Sequence, residues 1–221
     1  MYRSLGDALA AAADAPDVHA VLLHGTRECF SAGNDLADFL QPRPAGQEPA
    51  AAAHLFRTLP SLAKPIVAAV AGPAIGIGCT LLLHCDLVYA APNARFQLPF
   101  VPLGIVPEFG STLLLPLLAG YQRAAELLLL GEPFSAEQAR EAGIVNAIVP
   151  AAEVLEVAER RARALAALPP ESIRLTKALL KATQRGALEA RIAEESRIFA
   201  ERLNSPEAKA AMSAFLEKRK G

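Results

Sequence analysis

Glu108 is the residue of this sequence whose neighbours most clearly indicate proton chemistry. It stands in the stretch LGIVPEFGST, from Leu103 to Thr112, close to Val106 and Phe109. An apolar setting disfavours the ionised form of a carboxyl group, and this suits a general base. The alternative is a carboxylate that complements the dipole of a following helix, which is worth about 0.3–1 kcal/mol. The stretch alone leaves both interpretations open.

A glycine-containing segment, VAGPAIGIGCTLLL (70–83), is the second candidate for chemistry. Its pattern predicts a strand, a turn at Gly72 and then an apolar helix, with Gly76 and Gly78 allowing close backbone approach. The unpaired N–H groups at such a helix start can face a ligand. No Gly-Lys-Ser/Thr follows, so the segment is not a Walker loop. The alternative is that the glycines only let the helix pack on the sheet.

The third candidate is CFSAGNDLADF (29–39), in which a loop after a strand turns at Ala32 and Gly33 and a helix starts near Asn34 or Asp35. Backbone N–H groups are expected to point outward here too. Asp35 is interpreted as a structural N-cap. Asn34 is of interest for its backbone rather than for its side chain.

Cysteine and histidine chemistry is not predicted. No C-x-x-C pattern or paired histidines at ligand spacing occur, and no Ser or Cys stands in a nucleophile elbow. We therefore expect reduced, buried thiols, structural histidines and no metal site. The residues concerned are Cys29, Cys79, Cys85, His19, His24, His54 and His84.

The elements that must position these candidates form an α/β pattern. Three apolar runs, HAVLLHG (19–25), PIVAAVAG (65–72) and CDLVYAA (85–91), each lead into a helical segment. This alternation predicts parallel strands covered on both faces. Farther on, Ser135 and Gln138 predict a capping box, Gly143 a helix end, and IVNAIV (144–149) a strand. From Ala151 onward only helices are expected, with breaks at 169–170, Gly186 and 204–206.

Composition excludes several classes of function. The 221 residues carry a net charge of −1, no Trp, and 52% hydrophobic residues, so we expect a folded core and no nucleic-acid footprint. No apolar run has membrane-spanning length, and the start lacks the apolar core of a signal peptide. These features predict a cytoplasmic protein.

Three motifs in register then resemble the crotonase superfamily, the enoyl-CoA hydratase/isomerase family. They are FSAGNDL (30–36), KPIVAAVAGPAIGIGCTLLLHCDLVYA (64–90) and LPFVPLGIVPEFGSTLLLP (98–116), and LLLLGEPFSAEQAREAGIVNAIVP (127–150) and MSAFLEKRKG (212–221) extend the likeness. The resemblance implies a ββα spiral core over 1–150 and a helical region over 151–221 for trimerisation and pocket closure. The family's N-terminal strand has no counterpart before the helix at Met1, so part of the adenine-side pocket is expected to be absent.

The resemblance also implies the roles of the candidates. The backbone N–H groups of Asn34 and Ile77 would polarise the carbonyl of a coenzyme A thioester, with Ala32, Gly33, Asp35, Gly76 and Gly78 around them. Hydratases of this family use two glutamates, and those positions are Thr80 and Phe100 here. Glu108 matches the acidic base of Δ3,Δ2-enoyl-CoA isomerases.

The implied reaction shifts the double bond of a 3-enoyl-CoA to give the 2-trans-enoyl-CoA, in fatty-acid degradation. Glu108 would move the proton, and Phe100, Leu103 and Phe109 would form an apolar wall. No cofactor or metal is implied, because coenzyme A enters with the substrate. Phe199 and Lys218 resemble coenzyme A pocket residues, although a solvated terminal charge is an equal interpretation of Lys218. A homotrimer or a dimer of trimers is expected.

Two other functions remain open from the sequence. One is another acyl-CoA isomerase or a hydratase-like enzyme on the same scaffold, for example an isomerase of an aromatic acyl-CoA, which can also use an acid at position 108. The other is a non-catalytic acyl-CoA-binding subunit, against which the retained Glu108 argues.

Overall fold

The computed structural model of this chain describes residues 1–40 and 50–218, without the side chains of residues 50, 51 and 218. Its strands are β1 (Val21–His24), β2 (Ile66–Val70), β3 (Pro73–Ile75), β4 (Leu87–Ala90), β5 (Arg95–Gln97), β6 (Phe134–Ser135) and β7 (Ala147–Ile148). Its α-helices are α1 (Tyr2–Asp14), α2 (Leu36–Phe39), α3 (Ala50–Ser61), α4 (Ile77–Thr80), α5 (Ser111–Ala119), α6 (Tyr121–Ala125), α7 (Ala136–Glu141), α8 (Val154–Ala166), α9 (Pro170–Ala182), α10 (Arg185–Leu203) and α11 (Pro206–Lys218). Two 3₁₀ segments, Leu81–His84 and Val101–Leu103, and a π-helical segment, Glu126–Leu130, complete the described chain.

The strands form two sheets. In the first, the order is β1-β2-β4-β7 and every pair is parallel, as the alternation of strands and helices predicts. The register places Val21 opposite Ile66 and Val67 opposite Leu87. In the second sheet, β3 pairs with β5 in parallel and β5 pairs with β6 in antiparallel orientation.

Strand β2 is buried along its whole length because helices cover both of its faces. The side chains of Ile66, Ala68 and Val70 enter the main hydrophobic core together with residues of α1 and α3. Those of Val67 and Ala69 enter a second cluster, which α8 covers. The period-two alternation of a strand therefore distributes one apolar run between two layers, and the result is an α/β layered fold.

Three details differ from the sequence-based predictions. The segment between β2 and α4 was expected to be a turn alone, but it contains the short strand β3. The strand predicted over 144–149 is reduced to Ala147–Ile148. The helix break expected at Gly186 lies at residues 183–184, because Gly186 is the second residue of α10. The capping box between Ser135 and Gln138 is confirmed, and Gly143 adopts the left-handed conformation after α7.

An ion pair between the buried Lys177 and the partly exposed Asp86 attaches α9 to the main sheet. The Lys177 Nζ of α9 lies 2.7 Å from Asp86 Oδ2 and donates to the Lys64 carbonyl. The same Asp86 oxygen accepts from the Ile66 N–H at 2.7 Å. Since removing one partner of such a pair leaves a buried charge uncompensated, this contact constrains where α9 can lie. The division into units at 150 and 151 stays a prediction.

His84 connects the central helical segment, which consists of α4 and the 3₁₀ turn that follows it, to the chain that precedes α5. It is buried, and its Nε2 lies 2.8 Å from the Phe109 carbonyl oxygen. A carbonyl only accepts, so Nε2 carries the proton. Burial lowers the pKa of His84 to about 3 against the opposing effect of the Phe109 hydrogen bond, and the charge of Lys181 lowers it further. His84 is therefore neutral in the folded protein near pH 7.

We expect His84 to make folding stability depend on pH. With a pKa of about 3 in the folded state and about 6.5 in the unfolded state, the unfolded chain binds more protons between these values. Stability is complete above about pH 6.5 and declines as the pH falls, by roughly 2 kcal/mol at about pH 5. Urea unfolding at about pH 7 and pH 5 should show this loss in the wild type and a smaller one in His84→Gln. Equal losses in the two proteins would contradict a neutral, buried His84.

Candidate active site

The first half of the candidate site is the N-terminus of α4. Gly76 lies between β3 and α4 with φ +57° and ψ −121°, a conformation that glycine adopts without steric cost. Its N–H donates to the Gln97 carbonyl at 2.9 Å, and its own carbonyl accepts from Cys79 and Thr80. Within the described residues, the Ile77 N–H donates to no acceptor. The buried Ile77 therefore contributes a fixed backbone donor at a helix start.

The segment around Asn34 lies directly against this helix start. Ser31 bridges to Ala74, and its carbonyl accepts from the Ile75 N–H at 2.9 Å. Gly33 has φ +81°, and a Cβ there would lie 2.7 Å from the Ile75 carbonyl oxygen. Only glycine therefore fits at this crossing.

Asp35 is the N-cap of α2, as the sequence predicts, because its Oδ1 accepts from the Ala37 N–H at 2.9 Å. The half-buried Asn34 precedes it, and the exposed Ala32 lies two residues before that. The Asn34 N–H finds no acceptor in the part of the chain that the structure describes.

Close contact between the two segments also explains why residue 78 is a glycine. A Cβ on Gly78 would lie 2.7 Å from the Ser31 Cβ and 2.9 Å from the Ser31 carbonyl oxygen. The fold thus brings the segments that carry Asn34 and Ile77 into backbone contact. Two preorganised N–H donors on adjoining segments are the arrangement that stabilises a developing oxyanion.

Glu108, the third component, is buried with 5% exposure. It precedes two successive residues in the left-handed region, Phe109 at φ +63° and Gly110 at φ +74°, and α5 begins immediately after them. We call residues 108–110 the base turn. For a residue with a Cβ the left-handed conformation costs about 1–2 kcal/mol, so other contacts must hold it.

Three elements hold the base turn. The Phe109 ring stacks on Phe56 of α3 at 4.2 Å between centroids and lies 4.1 Å from the His84 ring. His84 also donates to the Phe109 carbonyl. From α10, Glu195 accepts from the Gly110 N–H. Because Ile77–His84 is one continuous helical segment, the element that supplies a backbone donor also anchors Glu108.

The residues predicted to surround Glu108 are themselves buried. Phe100 and Leu103 are buried in the main core, and Thr80, one turn after Ile77, is fully buried. Phe109 belongs to the base turn by its backbone, and its ring is enclosed between Phe56 and His84. Among the described residues, the buried carboxylates are Glu108 and Glu195.

Two predicted substrate residues lie in the C-terminal helices. Phe199 of α10 is buried and meets the Phe39 ring edge-on at 5.8 Å. Because Phe39 ends α2, this contact joins α10 to the Asn34 segment. Lys218 is the last residue of α11, and its side chain lies outside the described residues. Its predicted role stays a prediction.

Three residues near Glu108 were not identified from the sequence as part of the site. His84 ends an apolar run, and Glu195 lies in a helix with many charged residues, so neither pattern indicates a contact with the base turn. Tyr2 has a buried hydroxyl group, and its pKa is raised by burial and by the nearby Glu108 carboxylate. A polar residue inside an apolar run, as in TLLLHC, was the only available signal.

The described residues provide no group of three or more His, Cys, Asp or Glu side chains that could hold a metal ion. None of their helices combines the length and apolarity needed to cross a membrane. A cavity of about 940 Å³ touches Phe56 and His84 and continues between α5, α9 and α10. Its lining does not include Asn34, Ile77 or Glu108.

Comparisons with known proteins agree with this geometry. Residues 1–221 match the family model described as enoyl-CoA hydratase/isomerase. The chain is 35% identical to the 2,3-dehydroadipyl-CoA hydratase of Escherichia coli over 99% of this chain and 86% of that protein. It is 34% identical to enoyl-CoA delta isomerase 2 of Homo sapiens over 99% of this chain and 57% of that protein. Further relatives at 32–35% identity carry hydratase names.

The solved structures give the same result for the fold. The structure of OdaA from Pseudomonas aeruginosa superimposes with a TM-score of 0.93 at 46% identity, covering 98% of this chain and 87% of that one. The family model, the relatives and the solved structures all lead to one assignment. The chain belongs to the enoyl-CoA hydratase/isomerase family of the crotonase superfamily.

Proposed function

We propose that this protein is a Δ3,Δ2-enoyl-CoA isomerase, which converts a 3-enoyl-CoA into the 2-trans-enoyl-CoA in fatty-acid degradation. The observation that carries the proposal is a single carboxylate, Glu108, buried beside a helical segment whose start offers the Ile77 N–H. The other buried carboxylate of the described residues, Glu195, is occupied at the N-terminus of α5.

The mechanism needs one base and one oxyanion site. Glu108 removes a proton from C2, and the electrons of the C2–H bond move to form the thioester enolate. The enolate oxygen accepts hydrogen bonds from the N–H groups of Asn34 and Ile77. Protonated Glu108 then returns the proton to C4, the electrons shift into the C2–C3 double bond, and the thioester carbonyl is restored. At the end of each turnover Glu108 is ionised again, and the product contains the same atoms as the substrate.

The side chains at positions 80 and 100 support allylic proton transfer rather than addition of water. Hydration requires groups that hold water, deprotonate it and protonate the second carbon. The two positions at which hydratases of the family carry glutamates are Thr80 and Phe100, and both are buried here without a carboxylate. Phe100 and Leu103 limit water near the base, which protects the enolate from side reactions.

A hydratase is the second candidate, because hydratase names are frequent among the relatives. Identity does not separate the two activities, since the named hydratase and the named delta isomerase differ by one percentage point. The side chains at 80 and 100 favour the isomerase. An aromatic acyl-CoA isomerase and a non-catalytic acyl-CoA-binding subunit are the further alternatives.

The substrate enters as a coenzyme A thioester, and the proposal includes no resident cofactor. Phe199 and Lys218 are proposed to contact the coenzyme A part. Exposed leucines on α5 and α9 support assembly into a homotrimer or a dimer of trimers, since exposed apolar groups on adjacent helices are typical of contact surfaces. These leucines are Leu117, Leu118, Leu175, Leu179 and Leu180.

Replacing the base gives the first functional test. The wild type should produce conjugated-enoyl absorbance from 3-hexenoyl-CoA and should not consume 2-hexenoyl-CoA by hydration. Glu108→Gln keeps the shape but cannot accept the proton, so kcat should fall by at least about 10²-fold. The exposed Glu132, changed to Gln, is the matched control and should keep wild-type kcat. Hydration of 2-hexenoyl-CoA without conversion of 3-hexenoyl-CoA would refute the isomerase assignment.

Changing the spacing of the oxyanion segments gives the second test. In Gly78→Ala the new Cβ would meet Ser31 at 2.7 Å and force the Asn34 segment away from the Ile77 N–H. Loss of one oxyanion donor typically costs about 2.7–4 kcal/mol of transition-state stabilisation. A partial displacement should therefore reduce kcat by at least about tenfold.

The control for this variant is Gly186→Ala in α10. A Cβ there meets no atom within 4 Å. It should leave kcat unchanged and should not lower stability, because the added Cβ meets open space and alanine loses less conformational freedom than glycine on folding. Both variants are compared by kcat per folded molecule and by thermal unfolding. Wild-type kcat in Gly78→Ala would argue against the oxyanion role of these segments.

A further inference from the structure

We propose that Glu195 is a positioning residue that holds the base turn, and therefore Glu108, in the geometry for proton transfer. The inference rests on the proposed role of Glu108 as the base. It assigns to the C-terminal helical region, through α10, a direct contribution to the orientation of the catalytic carboxylate. Glu195 itself does not touch the substrate.

The carboxylate of Glu195 is a buried acceptor for three donors at the start of α5. Its Oε2 accepts from the Gly110 N–H at 2.5 Å, and its Oε1 accepts from the Thr112 N–H at 3.0 Å and from the Thr112 hydroxyl. Glu195 is 4% exposed. These N–H groups belong to the first helical turn, which has no partners within the helix. Glu195, distant in sequence, therefore acts as the N-terminal cap of α5.

The position of this cap determines the conformation of the base turn. Gly110 is the second consecutive left-handed residue after Glu108, and its N–H points at Glu195. On the other side, Leu188 of α10 leaves no space for a Cβ at Gly110, the closest approach being 2.3 Å. A turn in this strained region persists only where its surroundings hold it. Without the carboxylate, rotation at Gly110 and Phe109 would move the Glu108 side chain.

The three contacts require a carboxylate rather than an amide. Both oxygens of Glu195 accept, and a glutamine offers only one acceptor oxygen and an NH₂ group that would face a donor. The charge also complements the positive end of the α5 dipole. The nearby cation is Arg191, whose Nη1 donates to the Thr112 hydroxyl at 3.1 Å.

The electrostatic balance at Glu195 agrees with this assignment. Burial raises its pKa, whereas the hydrogen bonds from Thr112 and Gly110 and the charge of Arg191 lower it. Burial is the larger effect and the pKa of Glu195 is raised, so the donors on α5 and the charge of Arg191 offset part of the cost of burying this group. A glutamate that only filled space between α10 and α5 would not need all three hydrogen bonds from Gly110 and Thr112.

The decisive variant is Glu195→Gln, with Glu201→Gln as the matched control. Glu201 lies on the same helix, and its exposed carboxylate pairs with Arg197. With 3-hexenoyl-CoA, Glu195→Gln should lower kcat at least about tenfold and change KM by less than about threefold, because the oxyanion segments and the coenzyme A contacts are unchanged. Glu201→Gln should match the wild type in both constants.

A second variant covers the case in which Glu195→Gln folds poorly. Thr112→Val removes one of the three donors and keeps the carboxylate, so kcat should fall about threefold with KM unchanged. All constants are referred to folded protein, measured by circular dichroism. Wild-type kcat per folded molecule in the folded variants, accompanied only by a lower unfolding temperature, would overturn the positioning role.

Proton exchange separates this inference from the proposed reaction. The saturated thioester hexanoyl-CoA in D₂O loses its C2 protons, followed by NMR, only through the base and the oxyanion donors. Exchange should be absent in Glu108→Gln and reduced in Glu195→Gln by the same factor as kcat. If the wild type exchanges C2 protons but does not isomerise 3-hexenoyl-CoA, the isomerase assignment fails while the exchange rates still test Glu195. Wild-type exchange in Glu195→Gln would refute its role.

Discussion

The left-handed turn at Phe109 and Gly110 is the constraint on which the organisation of this site depends. A carboxylate acts on a carbon acid only if it is held away from water and at a fixed distance from the reacting carbons. Glu108 meets the first condition by burial. It meets the second because the two residues after it are locked by contacts from α3, the end of the central helical segment and α10. The helices that pack around the sheet therefore also position the Glu108 side chain.

The proposed oxyanion half of the site is built differently, since it uses backbone atoms. Asn34 and Ile77 contribute N–H groups, and the glycines beside them keep the two segments in contact. Side chains at the donor positions are therefore free to vary, and relatives named for different reactions can share this half of the site. In the proposed mechanism, what separates those reactions is the number and position of carboxylates. This explains why overall identity, 35% to the named hydratase and 34% to the named isomerase, does not identify the reaction.

Patterns that reflect local physics predicted much of the fold. The apolar runs of β1, β2 and β4 were correctly predicted as parallel strands, although β2 is fully buried and β1 is not. The cap at Ser135 was predicted from its spacing to Gln138. Burial of Glu108 was predicted from the apolar residues beside it in the sequence, and the structure confirms it. Strand β3 was missed because three residues carry no periodicity, and its stability comes from pairing with β5 and from the bridge to Ser31.

Long-range contacts were the part of the site that local patterns did not reveal. His84 is 25 residues from its acceptor and Glu195 is 85 residues from Gly110, so no spacing rule connects them. Both residues look ordinary in sequence, one at the end of an apolar run and one among helical charges. Their importance arises only when the chain brings an unpaired carbonyl or N–H of the base turn to a buried place. An unsatisfied backbone group there would be costly, so the fold must supply a partner from elsewhere in the chain.

The two buried carboxylates show how environment divides roles between chemically identical groups. Glu195 meets three donors, two of them on the backbone, and its oxygens are committed to α5. A carboxylate saturated in this way is a poor base towards carbon, since a proton would have to displace hydrogen bonds that the folded chain needs. Glu108 is the other buried carboxylate of the described residues, and its proposed role is that of the base. In the proposed mechanism, one carboxylate therefore exchanges protons while the other holds the backbone in place.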